Sequence, residues 1–450
     1  MSEINIRKGH NIGISGIPST DIIQGFAAKT VSIQPTEFRG IKPKILVKEG
    51  DKVKVGSALF YNKMNPEIKW PSLGAGTVSQ IQYGPRRVVE NIVIELAENE
   101  DFESAETYRT AEIATLDRNE ILKCLLKGNL FPFLRQRPYN KVANHKDLPR
   151  DIFISGWNTG PLTVDLDVAL RHRLSPFQAG INVLKKLTSG NVHLSYNRNT
   201  VSDTLLEVEN VNHHLLSGPH PIGNVGIQIH HISPLSNNDI IWTINAQDVV
   251  RVGNYFLTGK LDTTLFTTVA GPGIKNPIHI KSRMGVQIET LIRDNLNDGN
   301  QRIISGDVLT GKKSDKDGFL GFYDSTISVL AEGGDREFLG MLKPGSSETK
   351  YSLTNAFLGF QNKLYNFSTL KNGSERYMVP INSWENVLPM DILPNSLYRA
   401  ILVEDIEEME QLGIMECDEE DFALCSFACP SKIDLGSTIR KGLDLMEKES

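Results

Sequence analysis

The pattern of apolar and polar positions changes character several times along the chain. From residue 30 to 97 it alternates over short runs, and "KILVKEGDKVKVGSALFYNKMNPEIKWPSLGAGTVSQIQ" is punctuated by "EGD", Gly56, "NP" and "GAG", which predicts a compact all-β unit of short strands. Residues 98–150 are first acidic and then basic, with a helix expected around 117–127. At "RDIFISGWNTGPL" the period shifts. An apolar strand from Ile152 to Ser155 runs into a Gly/Pro turn, and "SPFQAGINVLKKLTSGNVHLSYN" then supplies a Ser-Pro helix start, an apolar stripe, a stop at Gly190 and a second strand. Strand, helix, strand implies a parallel βαβ unit, and the pattern continues to about residue 258. "TLFTTVAGPGIKNPIHIKSRMGVQIETLIRDNLN" through "RIISGDVLTGKK" reads as two strands, a turn, a helix and another strand, which suits a β-grasp module. The last seventy residues read as helical: one helix begins near Pro394 and stops at Gly413, and another places Ile439, Leu443 and Met446 on one face. No internal repeat is present.

At 450 residues the chain exceeds what one core supports, so two to four domains are expected. The balance of 48 basic against 54 acidic residues gives a net charge of −6, which argues against a nucleic-acid surface. "MSEINIRKGHNIGISG" lacks a signal-peptide core and no stretch is apolar enough to span a bilayer, so neither a signal peptide nor a transmembrane segment is expected. Four cysteines, three of them crowded near the end, make no disulfide framework and fit a reducing cytosol.

Those three cysteines raise a chemical question. "ECDEEDFALCSFACPSK" ends in Cys429-Pro430, as a ferredoxin run C-x2-C-x2-C-x3-C-P does. Laid back from Cys429, the template puts Cys425 third, Phe422 second and Glu419 first, with Cys417 two residues out of register. Phenylalanine cannot ligate iron, and glutamate offers hard oxygen where thiolate is favoured. The reading is a packed helix in which Cys425 and Cys429 share one face, and no bound cluster or other metal.

Other motifs are incomplete in the same way. "GDVLTGKK", Gly306 to Lys313, approaches a P-loop, but Lys313 stands where a magnesium-binding hydroxyl belongs and no helix follows to receive phosphate. "SGWNTGPL" carries glycines at 156 and 160 rather than G-x-G-x-x-G, and the Gly333-Gly334 pair lies far from any strand-to-helix junction, so no dinucleotide or flavin cradle is expected. His213, His214, His220, His230 and His231 fall within nineteen residues, half of the ten in the chain, and imidazole can ligate metal or protonate a reduced quinone oxygen. "V-x-E-G-D-x-V-x-x-G-x-x-L" with "KMNPEIKWPSLGAGTV" resembles the biotinyl and lipoyl carrier domains. Lys63-Met64 and Pro71 reproduce the spacing from modified lysine to proline, although Tyr61 and Asn62 replace the Ala-Met of biotin acceptors and no Pro/Ala linker would let the domain swing.

Taken in order, "KPKILVKEGDKVKVGSALF", "GPHPIGNVGIQIHHISP", "IIWTINAQDVVRVGNYFLTGKL", "AGPGIKNPIHIKSRMG", "RIISGDVLTG", "REFLGML", "MVPINSWENVLPMDILPNSLYRAILVEDIEEMEQLG" and "DEEDFALCSFACPSK" resemble the A-subunit family of the sodium-translocating NADH:quinone oxidoreductases over essentially the whole chain. That family is related to the C subunit of the Rnf complexes and to the NADH- and flavin-binding subunit of respiratory complex I. The expected fold class is α/β multidomain. It comprises a barrel-sandwich (biotinyl/lipoyl-like) β domain over 1–100, a connector at 101–150, a Rossmann-like α/β domain over 151–258 and a β-grasp (SLBB-like) module over 259–335. A second connector at 336–379 leads to a helical domain over 380–450 with a degenerate ferredoxin-like cysteine motif.

The resemblance implies a peripheral subunit without a cofactor of its own on the cytoplasmic face of the bacterial inner membrane. Its complex couples NADH oxidation and ubiquinone reduction, through flavins and iron-sulfur centres, to sodium export. The implied partners are the other subunits, especially a membrane-embedded one, together with ubiquinone. No catalytic residue transfers from a motif, and His220, His230, His231 and Trp242 are the candidates for a quinone-facing surface. The alternatives are a stand-alone soluble NADH/flavin oxidoreductase and a prosthetic-group carrier modified at Lys63.

Overall fold

A computed structural model of the chain describes residues 2–236, 239–334, 338–342, 344, 345, 350–353 and 364–449. Much of the connector expected at 336–379, and Arg336 and Glu337 of "REFLGML", lie outside the described residues.

The barrel-sandwich folds two sheets face to face. One orders Thr30–Ile33, Val89–Leu96, Gly76–Tyr83 and Lys52–Val53, and the other Pro43–Ile45, Ala58–Asn62 and Asn65–Pro71. Alternation drives this arrangement: Val31, Ile33, Val78, Ile92 and Ile94 face inward with Phe60 and Trp70, whose rings stack with centroids 4.8 Å apart. Lys63 and Met64 form the tip of the hairpin between Asn62 and Asn65, with Met64 70% exposed.

The α/β domain carries a seven-stranded sheet. Ser2–Asn5, Asn212–Ser217, Val192–Asn197, Asp151–Ser155 and Ile241–Asn245 run parallel, and Arg135–Arg137 then Lys141–Val142 continue antiparallel. From Asp151–Ser155 the chain first builds outward to Val192–Asn197 and Asn212–Ser217, then returns to the other side to lay down Ile241–Asn245. The direction of winding therefore reverses between Asp151–Ser155 and Ile241–Asn245. Helices Leu174–Lys185 and Ala246–Thr258 cover one face at close approach: a methyl group on Gly253 would sit 1.8 Å from the Pro176 carbonyl oxygen, and one on Gly180 2.2 Å from that of Val249.

The β-grasp module places helix Ile288–Ile292 against a six-stranded sheet in the order Lys312–Ser314, Gln301–Ser305, Thr326–Ala331, Thr264–Ala270, Ile278–Arg283 and Ile22–Gln24. The C-terminal helices Pro394–Val403, Ile406–Gln411, Ala423–Ala428 and Leu435–Glu449 enclose Trp384, Leu397, Met409, Phe422, Ile439 and Leu443.

Three boundaries differ from the sequence expectation. Residues 1–100 are not one unit, because Ser2–Asn5 joins the α/β sheet and Ile22–Gln24 the β-grasp sheet. Residues 101–150 are more than a connector, since helix Arg118–Lys127, capped by the Asp117 side chain, is followed by two strands that extend the α/β sheet. These strands are two to four residues long, too short for a period to register. The helix expected from Pro394 to Gly413 is two helices. Glu404 adopts a left-handed conformation (φ 59°), and the Asp405 carboxylate accepts the Glu408 N–H at 3.0 Å, restarting the helix.

Candidate functional site: a cavity at the switch point of the sheet

In an open α/β sheet the crevice forms outside the carboxyl ends of the strands, where the winding reverses. A cavity of about 340 Å³ lies there, reached by Ser155 at the end of one strand and Asn245 at the end of its neighbour. All four structural units wall it: Glu37 and Arg39 from the barrel-sandwich, the 155–160 turn and His220 from the α/β domain, Ser305–Lys312 and Phe322–Thr326 of the β-grasp module, and Asp418–Glu420 of the helical domain.

His220 is 5% exposed on this wall. The Thr159 hydroxyl accepts the Gly223 N–H at 3.0 Å and lies 3.0 Å from His220 Nδ1. His220 Nε2 is buried without a hydrogen-bond partner. Burial pushes the imidazole pKa down to about 4 against the opposing pull of Asp307, so the ring is neutral at physiological pH.

Elsewhere on the wall are two enclosed carboxyls. Glu37 Oε2 accepts the Phe322 N–H at 2.8 Å, and burial, reinforced by the charge of Asp324, raises its pKa to about 7. Asp324 Oδ2 accepts the Ser305 hydroxyl at 2.6 Å and is also raised by burial. Asp307 turns its carboxylate onto the Leu309 and Thr310 N–H groups at 2.6 and 3.2 Å. The P-loop-like segment is thus an aspartate-capped turn. Its N–H groups are taken by its own side chain, and it leads into strand Lys312–Ser314 instead of a helix.

The rim is an ion-pair network that fastens the helical domain. Arg137, fully buried, lies 3.1 Å from Asp418 and 3.0 Å from Glu420, and Arg440 meets Asp418 at 2.7 Å and Glu419 at 3.0 Å. Arg39 also pairs with Glu419. The first position of the ferredoxin template is therefore an ion-paired glutamate, and the second, Phe422, is core. The Cys425 and Cys417 thiols point at the carbonyl oxygens of Trp384 (3.8 Å) and Gly413 (3.5 Å), and burial pushes both pKa values up, away from the thiolate a cluster needs. Cys429 is buried at the end of helix Ala423–Ala428 rather than within it. Among the described residues, no three His, Cys, Asp or Glu side chains converge as a metal-ligand group.

The four candidates for a quinone-facing surface do not share one surface. Only His220 reaches the cavity. His230 Nδ1 donates to Glu416 at 2.7 Å while its Nε2 accepts the Asp391 N–H at 3.0 Å, and His231 Nε2 donates to the Pro389 carbonyl at 2.8 Å. Both stitch helix Val225–Ile232 to the helical domain. Trp242 is fully buried, edge-on to Phe131. His213 bonds Tyr196 and the Val208 carbonyl, and His214 bonds His193 and Ser2. Proximity in sequence reflected packing, because alternate residues of a strand face opposite sides of the sheet. Glu37, Asp324 and Arg137 had no visible signal: each is a single charge, and Glu37 and Arg137 meet partners hundreds of residues away.

The profiles described as "NqrA N-terminal barrel-sandwich hybrid domain", "NqrA second alpha/beta domain" and "NQRA C-terminal domain" match residues 4–97, 116–261 and 268–316. The A subunit of the Na(+)-translocating NADH-quinone reductase of Saccharophagus degradans is 40% identical over 449 residues, 99% of this chain and all of that protein. The protein of the same name from Pasteurella multocida is 40% identical over 448 residues, again 99% of this chain and all of that protein. The chain belongs to this NqrA family. The three profiles fall on the barrel-sandwich, the α/β domain and the β-grasp module, the last ending before strand Thr326–Ala331. The family's N-terminal profile starts within Ser2–Asn5, a strand that the structure assigns to the second domain's sheet. A solved structure titled as an NAD+-reducing NiFe-hydrogenase in the air-oxidized state is similar over 50% of this chain and 49% of that one, with TM-score 0.35 and 12% identity. Among the described residues, no helix is long and apolar enough to cross a membrane.

Proposed function

We propose that the chain is the A subunit of a sodium-translocating NADH:quinone reductase. It works as a peripheral member of that complex on the cytoplasmic side, docks on a membrane-embedded partner, carries no redox group of its own and holds the quinone headgroup in the cavity at His220. The observation that carries the first part is the end-to-end relationship at 40% identity to proteins of that name. The absence of a redox group is supported by the ion-paired Glu419, the buried Phe422 and the protonated thiols, which leave the cluster motif without its ligands.

The quinone assignment rests on chemistry at the wall. A quinone carbonyl needs a hydrogen-bond donor, and the neutral His220 presents a buried, unpartnered Nε2, which is that donor in the tautomer whose Nδ1 accepts the Thr159 hydroxyl and is costly to leave unpaired. The cavity is more polar than a slot for an isoprenoid tail would be, so the reading places only the headgroup there.

The test is photolabelling of the whole complex with a short-chain azidoquinone. Label mapping to peptides containing 155–160 or 218–224, and reduced in His220→Ala, is expected; label confined to other subunits would overturn the quinone assignment. Flavin or iron in near-stoichiometric amount in the purified chain would overturn the assignment of a carrier-free subunit.

A further inference from the structure

The barrel-sandwich and the β-grasp module each send one carboxyl into the cavity, and both converge on Gly321. A methyl group on Gly321 would lie 2.4 Å from Asp324 Oδ2 and 2.5 Å from Glu37 Oε1, so a single small group would touch both. Both carboxyls are enclosed and both line the cavity. Two carboxylates this close, away from water, cannot both ionise without a large electrostatic penalty, and the arrangement favours one shared proton.

The donors around them are weak for holding two negative charges. Glu37 receives one backbone N–H, from Phe322, and Asp324 one hydroxyl, from Ser305, whose oxygen in turn accepts the Gly321 N–H at 2.9 Å. The charged and titratable groups that face the pair are Asp307, Lys312, Arg135, Arg39 and Tyr323. Arg135 is occupied over the Tyr323 ring, 5.1 Å from its centroid, and Arg39 with Glu419. Neither cation makes a salt bridge to Glu37 or Asp324. The same cavity holds the buried, unpartnered Nε2 of His220, which independently calls for a hydrogen-bonding ligand.

We propose that Glu37 and Asp324 form a proton-donating pair that serves a ligand reduced in this cavity. The proposal rests on the quinone reading above. Two electrons arrive from a reduced flavin or other electron donor held elsewhere in the complex and pass to the quinone ring. The O–H bond of the carboxyl pair breaks as an O–H bond forms on a headgroup oxygen. A proton from bulk solvent, relayed by water at the cavity mouth, restores the carboxyl pair, which gives it to the second headgroup oxygen in the same turnover, and the product is the quinol. His220, neutral throughout, holds an oxygen by hydrogen bonding and gives up no proton.

Two measurements test this and separate its failure from that of the quinone reading. Infrared titration of the full chain reads the pair directly, without any ligand. Over the background of other buried carboxyls such as Asp421, the wild-type spectrum minus that of Glu37→Gln is expected to show a carboxylic-acid C=O band at neutral pH that shifts in Asp324→Asn; a difference spectrum without that band would overturn the shared proton, whatever the photolabelling shows. In the whole complex, Glu37→Gln is expected to leave NADH oxidation with ferricyanide and the KM for a short-chain quinone unchanged. It should lower kcat for quinone reduction by roughly a hundredfold, the range of general-acid catalysis, with Glu37→Asp partly restoring it. An unchanged kcat and pH profile, in a variant that still labels with azidoquinone, would overturn the donor role while sparing the quinone site. Band present but label confined to other subunits would likewise overturn delivery to quinone.

Discussion

Arg137 Nη2 lies 3.1 Å from Asp418 Oδ2, and both side chains are buried. One comes from a three-residue strand next to the edge of the α/β sheet, the other from the start of the degenerate cysteine motif. A buried pair contributes little relative to a well-packed apolar pair, but breaking it strands a charge. Arg137→Met alone is therefore expected to destabilise the chain by about 3–5 kcal/mol, and Arg137→Met with Asp418→Leu by markedly less. Denaturant unfolding of both, with limited proteolysis to show release of residues 380–450, checks this; equal costs for single and double variants would refute it.

Stability should depend on pH from both sides. His220 and His214 have folded pKa values of about 4 against 6.5 unfolded, so between those values the unfolded chain binds more protons and stability falls as pH falls. Glu37 works in reverse. Its folded pKa of about 7 lies above 4.5, so the folded chain binds more protons in that window and stability falls as pH rises through it. Denaturant midpoints measured across the range should show His214→Gln flattening the acid limb and Glu37→Gln flattening the limb toward neutral pH.

The cysteines are expected to behave as core. Cys124 is half-buried while Cys417, Cys425 and Cys429 are buried, so a thiol reagent should modify one cysteine in the folded chain and all four after denaturation. Cys425→Ser should cost about 1–3 kcal/mol, because it buries a hydroxyl whose nearest partner is a long contact to the Trp384 carbonyl. Iron content should be the same before and after.

Helix packing in the α/β domain leaves no room at Gly253. Gly253→Ala would place a methyl group against the Pro176 carbonyl, and overpacking of this kind costs about 1–3 kcal/mol. Thermal unfolding would read the loss, and an unchanged midpoint would mean the helices slide apart freely.

Lys63 tests the carrier alternative. The hairpin tip is exposed, so Lys63→Arg should leave stability unchanged. Intact mass of the native chain is expected to equal that of the unmodified sequence, and an added biotinyl or lipoyl mass lost in Lys63→Arg would revive the alternative.

What the sequence disclosed was local. The Asp117-capped helix, the βαβ alternation and the Ile439, Leu443, Met446 stripe are each written within a few turns of chain, and the structure has them. The loss of cluster ligands was readable too, since a missing thiol is missing whatever the fold. The cavity was not readable, because its parts are single residues: Glu37, Asp324 and Arg39 acquire meaning only once units far apart in sequence are brought together. The histidine cluster misled for the converse reason. Its members are close along the chain but each has different partners, and only His220 faces the crevice.

The first strand and its neighbour at Ile22–Gln24 have consequences for how the molecule is made. Ser2–Asn5 pairs with residues 214–217, and Ile22–Gln24 with 279–281, so the opening segment leaves the ribosome long before either partner exists. It must wait unpaired while some two hundred residues are translated, and contacts of such long range slow closure of the fold. Excised fragments would inherit the same difficulty: the α/β domain alone would present an open sheet edge at Asn212–Ser217, prone to pairing with whatever strand it meets first.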